Sequence, residues 1–228
     1  MPLKNSTFGA RLEAVEARIR QAADRSDRAR SDITLVAVSK KFSAAAIRAA
    51  YDAGLRDFGE NYVQEFAQKV PELGDLPGAR FHLIGHLQSN KARDAAALFD
   101  VVQTADSPKL LRRLDAFASE RNKTVEALIE VKLSSEEHKT GAPPEQIPAL
   151  IEAAAGCAHL RLTGLMTMPP WSEDPEASRP YFRRLAQLAR QYKLERLSMG
   201  MSAGFEVAIE EGATLIRVGT ALFGQRST

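Results

Sequence analysis

Between Ile33 and Gly224 the chain alternates short apolar runs with helix-length periodic stretches, eight times over and with no composition break. That alternation dictates a parallel sheet, because each helix returns the chain to the same end of the next strand. The strands read as 33–39, 56–59, 80–84, 101–104, 125–133, 160–166, 196–199 and 214–218. The helices between and after them read as 44–51, 62–70, 90–98, 109–121, 145–155, 176–192 and 205–211, with a last turn over 221–224. Eight such units predict an α/β fold closed as a single (β/α)8 TIM barrel over 1–228, rather than an open sheet.

Ahead of the first strand, Phe8, Leu12, Val15 and Ile19 recur at spacings of four, three and four, which marks one face of a helix. Ser6 or Thr7 can cap it, and it leads into the charged stretch Asp24-Arg25-Ser26-Asp27-Arg28-Ala29-Arg30. An extra N-terminal helical segment over about 8–30 is therefore expected.

Charge narrows the function classes. The 31 basic and 29 acidic residues are interleaved, leaving a net charge of +2 and no electrostatic footprint for nucleic acid or an anionic membrane. No run approaches the roughly 18 apolar residues of a membrane span. Met1-Pro2-Leu3-Lys4-Asn5-Ser6 has no apolar core, so no signal peptide is expected. The single cysteine, Cys157, lies in a small-residue run suited to packing, and one cysteine cannot form an internal disulfide. A cytoplasmic protein is expected.

In a barrel of this kind, ligand chemistry sits where the strands end. The first strand, Ile33-Thr34-Leu35-Val36-Ala37-Val38-Ser39, is apolar on both faces and runs into Lys40. Such a strand ends in an ammonium either because it meets water there or because the charge serves a ligand. The loop after strand 7, Ser198-Met199-Gly200-Met201-Ser202-Ala203-Gly204, and the loop after strand 8, Arg217-Val218-Gly219-Thr220, both bring glycine and hydroxyl groups to a helix start. Glycine lets the backbone approach an anion, and helix N-terminal amides favour its charge. Each loop alone reads as an ordinary cap. Together, on the two strands where this fold often binds phosphate, they point to a small phosphorylated ligand. A phosphate facing a lysine suggests pyridoxal 5′-phosphate, whose aldehyde forms a Schiff base with a lysine.

Several segments then match one known family in order: Ala37-Val38-Ser39-Lys40, Phe58-Gly59-Glu60-Asn61-Tyr62-Val63-Gln64-Glu65 and His82-Leu83-Ile84-Gly85-His86-Leu87-Gln88-Ser89-Asn90-Lys91. Gly164-Leu165-Met166-Thr167-Met168, Leu197-Ser198-Met199-Gly200-Met201-Ser202 and Ile216-Arg217-Val218-Gly219-Thr220-Ala221-Leu222-Phe223-Gly224 continue the match. The chain resembles the pyridoxal phosphate homeostasis proteins, whose barrel is like the N-terminal domain of alanine racemases. The resemblance implies that Lys40 carries the cofactor covalently, that Ser202, Gly219 and Thr220 hold its phosphate with amides around Gly200, and that Arg217 lies near the pyridine nitrogen. It also implies that Asn61 and His82 line the pocket and that Met166 and Met199 form apolar walls. Plainer roles exist for these four: a helix cap for Asn61, a satisfied core position for His82, and core packing for the methionines.

Lys41 competes with Lys40, since neighbours on a strand face opposite ways and both faces of this strand are apolar. Only the match to Ala-Val-Ser-Lys selects Lys40. Two positions depart from the family pattern: Gly204 stands where an acidic residue is common, and Ser43 where a proline often precedes the first barrel helix.

An arginine at the pyridine nitrogen disfavours its protonation and weakens the cofactor as an electron sink. Alanine racemases complete their site with a second domain, and this chain runs only five residues beyond Phe223. The expectation is thus a protein that holds and delivers the cofactor, with apo-enzymes as acceptors and a monomeric state; the alternative is an amino-acid racemase of weak activity. A metal-dependent hydrolase using His82 and His86 has no cysteine or carboxylate cluster beside it, and no metal is expected.

Overall fold

A computed structural model describes residues 7–136 and 139–225. The Ser6 cap and the leader reading over residues 1–6 lie outside the described residues. The chain folds as α1 (Phe8–Arg25), β1 (Thr34–Val38), α2 (Ala44–Asp52), β2 (Asp57–Glu60), α3 (Val63–Leu73), β3 (Arg80–Leu83), α4 (Ala92–Leu98) and β4 (Val101–Ala105). It continues as α5 (Pro108–Ser119), β5 (Val125–Glu130), α6 (Ile147–Ala155), β6 (Leu160–Met166), α7 (Arg179–Tyr192), β7 (Arg196–Met201), α8 (Phe205–Glu210), β8 (Leu215–Val218) and α9 (Thr220–Phe223). The strands close in sequence order into one parallel barrel, with β8 returning to β1 from Thr34↔Leu215 to Ala37↔Val218.

Several boundaries shift for local reasons. Three helices expected at 90, 145 and 176 open instead as 3-10 turns, Ser89–Lys91, Pro144–Gln146 and Pro175–Ser178. In two of them proline takes the first position, where its missing N–H costs nothing. Strand 5, expected to reach 133, ends at Glu130; Val131 then bridges Ala142, which draws the chain off the barrel. The N-terminal helix ends at Arg25, short of 30, with Ser26 closing it through Oγ bonds to the carbonyls of Ala22 and Ala23. Thr7 caps its start by accepting from Ala10 N.

The period-2 alternation of the strands divides the core in two. Val36, Val101, Leu128, Met166 and Leu215 fill the barrel interior, while a larger set including Leu35, Phe58, Phe66, Phe99, Ile216 and Val218 packs between strands and helices. Helix α1 lays Val15, Ile19, Ala22 and Ala23 against this shell beside α8 and α9. Burying Ile19 completely contributes about 2 kcal/mol, and Arg18–Glu206 and Arg25–Glu210 pairs at 2.6 and 2.8 Å rim the contact. Among the described residues no helix is long and apolar enough to cross a membrane.

Candidate functional site

Strand β1 ends in a turn that exposes one lysine and keeps the next half-buried. Phe42 N donates to Ser39 O at 3.0 Å, and Lys41 takes φ +64°, so residues 39–42 form a turn with a left-handed third position. Lys41 is exposed and its amide donates to Glu65, whereas Lys40 is half-buried. Lys40 continues the parity of Val36 and Val38, the former an interior residue.

Behind this turn lies a buried polar cluster. Glu60 Oε1 accepts from the Ser39 hydroxyl at 2.7 Å and from Lys69 Nζ at 2.8 Å, and Lys69 also donates to Ser39 O. Lys69 pairs in addition with Glu65 at 2.7 Å. Burial pushes the Glu60 carboxyl above the usual carboxylate range, against the pull of Lys69 and Ser39. The cluster ties α3 to the β1 turn and so fixes the backbone from which Lys40 departs.

The loops after β7 and β8 meet this turn. Gly219 N donates to Ser202 Oγ at 3.3 Å. Phe42 stacks on Phe223 with ring centroids 4.9 Å apart, and a Cβ built on Gly219 would touch Val38 at 3.4 Å. Gly200 sits at φ +90°, where an added Cβ would lie 2.5 Å from Ala208 Cβ, so only glycine fits the bend. Thr220 opens α9 immediately beyond. Lys40, Gly200, Ser202, Gly219 and Thr220 thus share one rim of the barrel. Asn61 joins from β2; its backbone is pressed by Gly85, and its buried Oδ1 has no hydrogen-bond partner.

Arg217, from β8, is 3% exposed and points inward. It donates to Ser198 Oγ and, at 3.0 Å, to the Thr167 carbonyl, and no carboxylate forms an ion pair with it among the described residues. Burial pushes its pKa down to about 10, with Glu130 acting the other way; the side chain is still a cation near neutral pH. Glu130, at the end of β5, is 2% exposed, and burial holds its carboxyl above the usual range although Thr140 donates to it at 2.9 Å. Its Oε2 is unpartnered.

Two of the residues expected to line the pocket have structural surroundings of their own. His82 is completely buried inside the barrel with both ring nitrogens engaged, by Asp57 and by Gln103, and has none left for a ligand at the rim. Met199 is buried in the shell between barrel and helices, on the face opposite Ser198, because β7 alternates there; Met166 does face the interior. His86 is exposed near Asp106 and is not brought to His82's partners. A Cβ added at Gly204 would make ordinary contact with Pro175, at 3.4 Å from its Cβ. Sequence reasoning missed Glu60, Lys69, Gln103, Glu130 and Ser198. Their signal was present as polar residues inside apolar strands, as in Val101-Val102-Gln103 and Leu128-Ile129-Glu130.

Comparison with known proteins agrees with this architecture. The alanine racemase N-terminal domain family matches residues 10–227. The chain therefore belongs to that class of barrels. It is 44% identical over 223 residues to the pyridoxal phosphate homeostasis protein of Pseudomonas aeruginosa, covering 97% of this chain and 96% of that one. It is 40% identical to the Escherichia coli protein of the same name, covering 94% and 95%. Within the class, the chain is a member of the pyridoxal phosphate homeostasis protein family. The structure of PipY from Synechococcus elongatus with pyridoxal phosphate bound superposes with a TM-score of 0.82 at 39% identity, over 96% of this chain and all of that one. An alanine racemase from Clostridium difficile shares the fold at 12% identity and a TM-score of 0.68, with the match spanning 56% of its chain.

Proposed function

We propose that this protein binds pyridoxal 5′-phosphate at the C-terminal rim of the barrel, attached covalently through Lys40, and acts in intracellular holding and delivery of this vitamin B6 cofactor without strong catalysis of its own. The observation that carries the reading is the convergence of the Lys40 turn with the Ser202, Gly219 and Thr220 loops on one rim. The residues fit the group. A hydroxyl, backbone amides at the start of α9 and a glycine that tolerates no Cβ suit a phosphate. The orphaned Asn61 Oδ1 is a polar group that a ring with heteroatoms would satisfy, and the Arg217 guanidinium, hydrogen-bonded to Ser198 and the Thr167 carbonyl, has no carboxylate partner among the described residues. PipY, so similar over its whole length, is known with the same cofactor bound.

Bound pyridoxal phosphate supplies an electron sink whose strength depends on a protonated ring nitrogen. Arg217 opposes that protonation wherever it faces the nitrogen, because like charges disfavour each other at close range. A lysine must lose a proton before it can attack an aldehyde, the unperturbed side chain titrating at about 10.4; Lys40 sits half-buried at the end of β1. Ser202 and Gly219 orient the phosphate; Lys69, Glu60 and Ser39 hold the turn. Attachment without a strong sink suits storage and hand-over to apo-enzymes, in a protein that acts as a monomer.

Transfer tests this directly. Loaded protein mixed with an apo pyridoxal-phosphate enzyme is expected to restore that enzyme's activity, and Lys40→Ala protein to carry no covalent cofactor to give. Incubation with L- or D-alanine is expected to leave optical purity unchanged. Lys40-dependent racemisation would make the protein a weak racemase instead.

A further inference from the structure

Arg217 is one end of a hydrogen-bonded chain that crosses the barrel interior. Its guanidinium donates to Ser198 Oγ on β7; Ser198 Oγ lies 2.6 Å from Gln103 Oε1 on β4; Gln103 Nε2 lies 2.9 Å from His82 Nδ1 on β3; and His82 Nε2 lies 2.8 Å from Asp57 Oδ1 on β2. Arg217, Ser198, Gln103 and His82 are each no more than 3% exposed. The Asp57 side chain, 19% exposed, is where the chain meets solvent.

The two charged ends fix the outer links, and the orientation of the Gln103 amide sets the direction of the inner two. A guanidinium only donates and a carboxylate only accepts. Asp57 therefore requires a proton on His82 Nε2. With the Gln103 amide N–H directed at the ring, Nδ1 is the acceptor and the ring proton lies on Nε2. Gln103 Oε1 then takes the Ser198 hydroxyl proton, which leaves Ser198 Oγ as acceptor for Arg217. All four bonds point from the cation to the anion, an arrangement in which each polarises the next. Turning the Gln103 amide over would demand a doubly protonated His82. Buried polar chains that are satisfied at every member rigidify what they hold.

We infer that Ser198, Gln103 and His82 are positioning residues that hold the Arg217 guanidinium in place for the bound cofactor's ring nitrogen, with Asp57 as the anchoring charge. The inference rests on the reading of Arg217 given above. It explains why an apolar barrel interior spends three strands on polar side chains that touch no rim group. Loss of a link frees the guanidinium to move, and the ring nitrogen then gains a proton more easily.

Two measurements test it. Nitrogen-15 NMR of the histidine-labelled, ligand-free protein, with the His82 signal assigned by its loss in His82→Gln, is expected to show a protonated Nε2 and a bare Nδ1 at neutral pH. The opposite tautomer or an imidazolium overturns the directed chain. In loaded protein, the absorption of bound cofactor is followed against pH in wild type, Arg217→Met, Gln103→Leu and Gln103→Glu. Arg217→Met is expected to raise the midpoint of ring-nitrogen protonation by about one pH unit or more, and Gln103→Leu to raise it in the same direction. Gln103→Glu keeps an acceptor for Ser198, so its midpoint is expected to stay near wild type while its His82 becomes an imidazolium between two carboxylates. A shift in Arg217→Met with none in Gln103→Leu overturns the positioning role and leaves the ring-nitrogen reading standing. No shift in either overturns both.

Discussion

Strand β5 carries two inward-leaning glutamates four residues apart, at opposite ends of the barrel, and their surroundings pull them in opposite directions. Glu126, at the start, is ringed by Arg80 at 2.9 Å, by Arg161 in a short contact and by Arg196 at 3.7 Å. Burial would raise its pKa, but the three guanidiniums outweigh burial and hold the carboxyl below the usual range. Glu130, at the other end, has a hydroxyl from Thr140 and the neighbouring charge of Asp106 against it, and burial wins. One end of the barrel neutralises its buried charge and the other leaves it underpaired. In barrels of this kind the end where the strands start serves stability and the end where they finish carries the loops that bind ligands.

Substitutions sharpen that contrast, beginning with the largest effect. Glu126→Gln strips the cluster of its anion and leaves three cations facing one another. A loss of about 2–3 kcal/mol in unfolding free energy is expected from denaturant titration, with cofactor binding unchanged. In wild type the contribution of Glu126 is present above the ordinary carboxylate range and is lost as pH falls through its lowered value. A variant as stable as wild type would break the comparison.

Glu130→Gln is expected to act with the other sign. A carboxyl whose folded-state pKa is raised binds its proton more tightly in the folded chain, so stability falls as pH climbs from about 4.3 through the raised value. Replacing Glu130 by the neutral amide, which can still accept from Thr140, is expected to stabilise the ligand-free protein by about 1 kcal/mol at pH 7. The gain should vanish near pH 4. Thermal unfolding of both proteins at the two pH values checks this, and a destabilised variant at pH 7 would show that Glu130 is paired after all.

The smallest effect concerns the turn. Lys41 holds φ +64°, a conformation that costs a residue with a side chain about 1 kcal/mol. Lys41→Gly relieves that cost while adding chain entropy to the unfolded state, so a net gain of about 0.5 kcal/mol is expected by chemical denaturation. Cofactor loading should not change. Loss of loading would move the attachment from Lys40 to Lys41.

The barrel was legible in the sequence because its signals are local. Each strand is a short apolar run closed by turn residues, and each helix announces itself by its own periodicity. Lys40, Ser202, Gly219 and Thr220 could be singled out as candidates for a related reason: they follow strand ends, where a barrel of this kind gathers its chemistry. The interior polar chain was not legible. Gln103 and Ser198 lie 95 residues apart and Gln103 and His82 lie 21 apart, so nothing local distinguishes a polar residue that finds a partner across the barrel from one that breaks a strand. For His82 and Met199 the family resemblance pointed to the pocket while the residues alone allowed a core role, and the structure gives His82 two buried partners and Met199 a place in the outer shell.

Covalent attachment at Lys40 is the central claim, and borohydride reduction of the loaded protein followed by peptide mapping tests it most directly. The expected result is one reduced, phosphopyridoxyl-bearing peptide with the label on Lys40, absent from Lys40→Ala. A label on Lys41, or stoichiometric labelling that survives Lys40→Ala, would contradict the account.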